Sequence, residues 1–179
     1  HTSYRIHSVQ QENHFSFFWD DMFPIFEVNN ELFDEAVHLV DSGEVEKVHF
    51  FFGTRDQYRT SQPYNKSFNQ LSQTVEYRSG LAPGIWSKEY FLKYLGDGMT
   101  PWDYEIKNMR ATMNDGATIL VPRHTPVLGW VNMFRQGEFN TWMWDNYKNS
   151  PTGHFAWNSF QKLTPDVAEL VASYEGRTL

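Results

Sequence analysis

The chain has 179 residues, a net charge of −7 and no cysteine. This length is enough for one domain with a sizeable core, and we expect residues 1–179 to form a single domain. The missing cysteine excludes disulfides, thiolate catalysis and cysteine-ligated zinc, and an acidic chain without a basic cluster argues against a nucleic-acid groove. No apolar run reaches the length of a membrane span, so we expect a soluble chain, cytoplasmic or virion-associated.

The first half of the chain predicts alternating strands and helices. The apolar run 14–19 (HFSFFW) predicts a buried strand. Apolar residues at helical spacing over 30–40, between an asparagine cap and a serine–glycine stop, predict a helix. Residues 45–52 predict a second strand, the polar stretch 54–73 predicts a long mobile loop, and 74–78 predicts a third strand.

The second half continues this alternation. A serine cap predicts a helix over 87–95, and a further helix is expected after Pro101. Residues 117–121 (ATILV) predict a strand, the Trp-rich stretch 129–160 predicts no definite element, and 164–173 predicts a terminal helix. Strands that alternate with helices indicate the α/β class.

An acidic pair, Asp20-Asp21, directly follows the first predicted strand. Ligands of α/β sheets gather beyond the carboxyl ends of strands. A divalent cation relieves the repulsion between two adjacent carboxylates, and Mg²⁺ and Mn²⁺ favour carboxylates together with phosphate oxygens. The alternative interpretation is a turn at the strand end, with one aspartate as a cap.

A second acidic group is Trp102-Asp103-Tyr104-Glu105. Trp102 and Glu105 are three residues apart and share a helix face. A carboxylate beside an aromatic wall is partly desolvated, which suits a general base. The alternative is an exposed helix start, where acidic groups complement the helix dipole.

Two further features are weaker signals. His124 follows a predicted strand, where a neutral imidazole is able to bind metal, although a single histidine is more often a surface or capping residue. The segment 77–86 (YRSGLAPGIW) contains two glycines and a proline. Such a segment either lets the backbone approach a ligand or forms a turn.

Three stretches carry a resemblance to a known family: 17–37 (FFWDDMFPIFEVNNELFDEAV), 77–105 (YRSGLAPGIWSKEYFLKYLGDGMTPWDYE) and 127–139 (VLGWVNMFRQGEF). Together they resemble bacterial and phage-associated glycosyltransferases with the A-type fold. The second stretch is the most specific, because its turn, tryptophan, helix and acidic ending keep their order. The resemblance implies a partial A-type, Rossmann-like fold with a mixed sheet flanked by helices.

The resemblance also implies chemical roles for the acidic residues. Asp21, with Asp20, would bind Mn²⁺ or Mg²⁺, which holds the diphosphate of a nucleotide sugar and stabilises it as a leaving group. Glu105 or Asp103 would deprotonate the acceptor hydroxyl, and Glu105 is preferred because it ends the motif. A single general base would suit an inverting reaction.

Substrate contacts are implied in the same way. Trp86 and Trp102 would line the sugar and acceptor subsites, with Tyr104 beside them. Arg78 would lie near the phosphates, and His124 would complete the metal or phosphate site. The expected partners are a nucleotide sugar and a glycan acceptor.

The chain departs from the family ahead of its acidic pair. A-type enzymes normally have a nucleotide-binding βαβ portion there, whereas 19 residues precede Asp20, and the pair is Asp-Asp rather than Asp-any-Asp. We expect the nucleotide-binding half to be absent or supplied by another chain.

Two other functions remain open. A non-catalytic carbohydrate-binding or structural module of a phage or particle would explain the aromatic content of 17%. Replacing Asp21 by Asn should abolish transfer by an enzyme but leave sugar binding by such a module intact. The third function, metal-dependent hydrolysis of a phosphoester, would form product without an acceptor sugar.

Overall fold

The computed structural model describes residues 13–19, 22–24, 27–132, 134–135, 138–139 and 173. The chain divides into two compact units, one of His1–Phe18 with Asn30–Val127, the other of Trp19–Asn29 with Leu128–Leu179. The single domain over residues 1–179 stays a prediction.

Strands and helices alternate along the described residues, which confirms the α/β class. In chain order they are β1 (His14–Phe17), β2 (Met22–Pro24), α1 (Asn30–Asp41), β3 (Lys47–His49), α2 (Arg55–Thr60), β4 (Gln62–Pro63), β5 (Phe68–Gln70), β6 (Gly84–Ser87), α3 (Lys88–Tyr94), α4 (Pro101–Ala111), β7 (Ile119–Pro122), β8 (Trp130–Asn132), β9 (Phe134–Arg135) and β10 (Glu138–Phe139).

A six-stranded open mixed sheet lies in the first unit, with the strand order β1-β6-β3-β7-β5-β4. β3 and β7 are parallel, and the other neighbouring strands are antiparallel. Since β6 is antiparallel to both β1 and β3, the strands β1, β3 and β7 run in the same direction. Their carboxyl ends therefore share one edge of the sheet, where α/β proteins place their ligands.

Within the described residues of the second unit, two short antiparallel pairs form, β2 with β8 and β9 with β10. Strands β8 to β10 lie in the stretch 129–160, for which the sequence predicted no definite element. The terminal helix predicted over 164–173 falls outside the described residues except for Ser173, which is helical.

Capping side chains begin the two helices that matter most for the site. The Ser87 hydroxyl accepts a hydrogen bond from the first turn of α3. Thr100 and Asp103 form a reciprocal capping box at the start of α4, which has Pro101 in its first turn. The predictions of α3 and α4 are confirmed, because their cap signals are local and readable in the sequence. The prediction of α1 is confirmed as well.

The stretch 54–73 was predicted as a long loop, and this prediction is wrong. It contains α2, β4 and β5. Thr54 and Gln57 form a capping box that starts α2, and the Asn65 side chain accepts bonds from two backbone N–H groups in the turn between β4 and β5. The Thr-x-x-Gln signal is present in the sequence, but the polar composition concealed it.

The prediction of a strand over 74–78 is also wrong. Tyr77 has a φ of 55°, a left-handed conformation that does not continue a strand. The strand is instead β6, which pairs with both β1 and β3. Gly84 opens it because the backbones approach closely, and a Cβ there would lie 2.4 Å from the Val48 carbonyl oxygen.

Aromatic side chains fill the core beside β6. Trp86 is fully buried, and its ring contacts Tyr90 (6.4 Å between centroids), Phe91 (5.4 Å) and Tyr104 (6.2 Å). Lys47 on β3 is the register partner of Trp86, so both side chains lie on the same face of the sheet. This face brings α3 and α4 against the sheet and places the residues of the motif 77–105 close together.

Candidate active site

The segment that precedes β6 enters the sheet at the edge where β1, β3 and β7 end. Gly84, the first residue of β6, is paired with Phe17 at the end of β1 and with His49 at the end of β3. Pro83, whose carbonyl oxygen accepts a hydrogen bond from the Phe50 N–H, and Gly84 therefore lie at the edge that the strand directions mark for ligands. The Gly80 carbonyl oxygen and the Arg78 guanidinium bind residues at or ahead of the starts of β3 and β7.

Glu105 is bound to this segment. Its Oε1 accepts a hydrogen bond of 2.7 Å from the Leu81 N–H, across 24 residues of sequence. The backbone passes close to the carboxylate, since a Cβ built on Gly80 would lie 3.5 Å from Oε1. Glu105 itself is only half-buried. One carboxylate oxygen is thus held in place, while the side chain remains accessible from solvent.

A buried lysine binds the carbonyl side of the peptide group between Gly80 and Leu81, whose N–H side binds Glu105. Lys47 is fully buried, and its Nζ donates a hydrogen bond to the Gly80 carbonyl oxygen. The Nζ lies 3.8 Å from the centre of the Trp86 ring. Burial lowers the pKa of Lys47 well below its usual value, and the negative charge of Glu105 opposes this shift. Sequence reasoning missed Lys47, although a lysine inside an apolar strand is a visible signal.

Arg78 lies in a buried network. Its guanidinium is fully buried and donates to Asp115 Oδ1 at 2.6 Å and to the carbonyl oxygens of Thr112 and Ala117. The hydroxyls of Tyr90 and Tyr94 donate to Asp115 Oδ2 at 2.8 and 2.9 Å. This gives Arg78 a structural role, and its place near phosphates stays a prediction.

The charges and hydrogen bonds of this network shift the pKa values of its ionisable side chains. Burial by itself raises the pKa of Asp115, but hydrogen bonds from the Ala117 N–H, Tyr90, Tyr94 and Arg78 lower it below its usual value. Burial and the Asp115 carboxylate raise the pKa of Tyr90. The carboxylate therefore stays ionised and holds both tyrosines protonated. Asp115 was not selected from the sequence.

The aromatic residues predicted to line the sugar and acceptor subsites lie in different environments. Trp86 and Tyr104 lie in the core, with exposed fractions of 0% and 1%, whereas Trp102 is 69% exposed. Trp102 precedes Glu105 by three residues on α4, so both lie toward one face of the helix. Trp102 therefore offers an accessible aromatic face near the half-buried carboxylate.

Asp103 acts as a helix cap. Its Oδ2 accepts hydrogen bonds from the Thr100 N–H and hydroxyl, and Lys107 lies 3.3 Å from its other oxygen. The bonds to Thr100, with a smaller contribution from Lys107, lower the pKa of Asp103. One oxygen of Asp103 is thus occupied by the bonds from Thr100, as one oxygen of Glu105 is by the Leu81 N–H, and both side chains are partly exposed.

The predicted metal ligands are only partly described. Asp20 and Asp21 lie outside the described residues, and His124 is exposed two residues after β7. Within the part of the chain that the structure describes, no three His, Asp or Glu side chains are close enough to hold a metal ion. The two carboxylates are donors that suit Mn²⁺ or Mg²⁺, which prefer oxygen ligands, and this site, with His124 beside it, stays a prediction.

His49 is a second buried basic group on β3, and it gives a pH-dependent stability. One ring nitrogen, Nε2, lies 2.9 Å from the Arg78 carbonyl oxygen, and the ring is 2% exposed. Burial, and then the positive charge of Lys47, lower the pKa of His49 well below 6.5. Between the folded-state and the unfolded-state pKa, the histidine therefore carries a proton in the unfolded chain but not in the folded chain.

We expect this histidine to make the protein less stable in acid. The contribution of His49 to the free energy of unfolding is complete above pH 6.5. It is lost as the pH falls toward the folded-state pKa, by up to about 1.4 kcal/mol per pH unit. Urea unfolding at several pH values should show that the free energy of unfolding falls less steeply with decreasing pH in His49→Gln than in the wild type. The glutamine amide still donates to the Arg78 carbonyl. Equal slopes for the two proteins would contradict burial of a neutral ring.

Comparisons with protein-family models, curated proteins and solved structures found no match for this chain. None of the helices in the described ranges has the length and apolar character needed to cross a membrane.

Proposed function

We propose that this chain is a metal-dependent glycosyltransferase that moves a sugar from a nucleotide sugar to a hydroxyl of a glycan acceptor. One observation carries the proposal: the Leu81 N–H binds Glu105 while the glutamate stays half-exposed. The two residues belong to the beginning and the end of the most specific stretch of the resemblance. A carboxylate oriented by a fixed donor, with access to solvent, is the arrangement expected of a general base.

In the proposed reaction, Glu105 accepts the proton of the acceptor hydroxyl. The hydroxyl oxygen bonds to the anomeric carbon of the donor, and the bond from that carbon to the diphosphate breaks, leaving its electron pair on the diphosphate. Trp102 presents an exposed ring on which the apolar face of a sugar is able to stack. Asp20 and Asp21, with His124, would hold a divalent cation, which would supply positive charge for the leaving group.

Nucleotide binding tests the proposal. Calorimetric titration of the chain with UDP and with GDP should show binding that requires Mn²⁺ and is lost in Asp21→Asn. Asp34→Asn is the matched control, because Asp34 is an exposed aspartate of α1. Failure of both nucleotides to bind, with or without Mn²⁺, would contradict the proposed donor site.

A specific observation also favours a non-catalytic sugar-binding module. Trp102 is 69% exposed and Ile106, one helical turn later, is 63% exposed, so α4 presents two accessible apolar side chains. If binding is the whole function, Trp102→Ala should weaken retention on a glycan array while Glu105→Gln leaves that retention unchanged. Sugar transfer that depends on Glu105 would exclude this alternative.

A further inference from the structure

Lys47 is a buried cation in the middle of the sheet. β3 lies between β6 and β7, and the Lys47 side chain is fully buried against the Trp86 ring. Taking an ammonium group out of water costs several kcal/mol, and a hydrophobic side chain of similar volume is often as stable or more stable in such a place. Stability alone therefore does not account for a lysine at this position.

The contacts of Lys47 lead to Glu105 through one peptide group. Lys47 Nζ donates to the Gly80 carbonyl oxygen, and the N–H of the same peptide, which belongs to Leu81, donates to Glu105 Oε1 at 2.7 Å. Because the peptide group is planar, fixing the direction of its carbonyl also fixes the direction of its N–H. A donor on the carbonyl polarises the amide, which strengthens the N–H as a donor.

The charges of the two side chains support this coupling. Burial disfavours the charged form of Lys47, and Glu105 is the carboxylate that favours it. The neutral amine and the ammonium group both carry N–H donors, so the bond to Gly80 forms in either state. The hydrogen-bonded path from Lys47 to the carboxylate therefore does not depend on protonation.

We propose that Lys47 is the positioning residue of Glu105, which it orients through the Gly80–Leu81 peptide. This inference rests on the proposed role of Glu105 as general base. Lys47 acts on the direction of the carboxylate and does not contact the substrate. Removing its donor frees the peptide to rotate, and a misplacement of about 1 Å costs on the order of 100-fold in rate.

The test uses Lys47→Met, which keeps the length and packing of the side chain but removes the donor. Amide hydrogen exchange, followed by NMR on the whole chain, should show faster exchange of the Leu81 N–H in Lys47→Met than in the wild type, whereas Glu105→Gln keeps an acceptor for this N–H. His49→Gln is the matched control, because His49 lies on the same strand and binds the Arg78 carbonyl. Unchanged Leu81 exchange in Lys47→Met would overturn the proposal.

Kinetics distinguish this inference from the proposed function. Nucleotide release from UDP-glucose, UDP-N-acetylglucosamine and GDP-mannose, with Mn²⁺ and methyl glycosides as acceptors, gives kcat and KM. We expect Lys47→Met to lower kcat by about 10- to 100-fold with KM unchanged. Faster Leu81 exchange in a protein whose wild type transfers no sugar would support the coupling and count against glycosyl transfer. Equal kcat in wild type and Lys47→Met would overturn the positioning role.

A second measurement covers the case in which Lys47→Met does not fold. The ¹⁵N resonance of Lys47 Nζ should shift between the wild type and Glu105→Gln, because the charge removed lies at the other end of the shared peptide. The exposed Lys107 and Lys66 provide reference resonances. An identical Lys47 resonance in both proteins would overturn the inference.

Discussion

Replacing Glu105 by Gln should lower kcat for sugar transfer by about 100- to 10,000-fold, the contribution that a general base typically makes. The glutamine carbonyl is still able to accept the Leu81 N–H bond, so the local geometry is kept and only the proton acceptor is lost. Metal-dependent binding of UDP or GDP should be unchanged. The measurement is nucleotide release from a panel of UDP- and GDP-sugars with methyl glycosides as acceptors.

Asp103→Asn is the matched comparison, because it makes the same chemical change two residues earlier on α4. Asparagine keeps an acceptor oxygen at this third helical position of the capping box, and the bonds from Thr100 require only an acceptor. We expect kcat within about twofold of the wild type, as for surface changes that alter little. A large loss in Asp103→Asn with none in Glu105→Gln would assign the base to Asp103, the alternative that the sequence left open.

Replacing Arg78 by Met should destabilise the fold by about 3–5 kcal/mol, the usual cost of removing one partner from a buried ion pair. The change leaves the Asp115 carboxylate, whose side chain is 5% exposed, without its cation. It also leaves the Thr112 and Ala117 carbonyl oxygens without the guanidinium donors. Urea unfolding monitored by circular dichroism measures the free energy of unfolding.

Arg59→Met is the control for this experiment, because Arg59 is exposed in the last turn of α2. Its free energy of unfolding should stay within about 0.5 kcal/mol of the wild type. The double variant Arg78→Met/Asp115→Asn should lose less than the sum of its two single changes, since both remove the same contact. A loss below about 1 kcal/mol in Arg78→Met would mean that the network contributes little to stability.

Local rules recovered much of the fold from the sequence. The caps at Ser87 and Thr100 involve residues three positions apart, and α3 and α4 begin where these signals predict. The same kind of signal at Thr54 and Gln57 was concealed by the polar composition of the stretch 54–73. The strand predicted over 74–78 failed because Tyr77 adopts a left-handed conformation, which no residue type at this position announces.

The candidate site was predicted only in part. The resemblance selected Glu105, which the structure holds by one hydrogen bond and leaves half-exposed, and it selected Trp102, which is exposed. It also selected Trp86 and Tyr104, which lie in the core. Whether a tryptophan faces solvent or the core depends on which helix covers the strand, and the spacing of residues along the chain does not carry that information.

By itself, the sequence determined the α/β class, the starts of the main helices and the grouping of acidic residues that suggests metal and base chemistry. Tertiary structure alone decided the partners of those groups. Leu81 meets Glu105 across 24 residues, Lys47 meets Gly80 across 33, and Arg78 meets Asp115 across 37. Helix caps depend on neighbours within one turn, whereas these contacts exist because strand order in the sheet brings distant segments to the same edge and face.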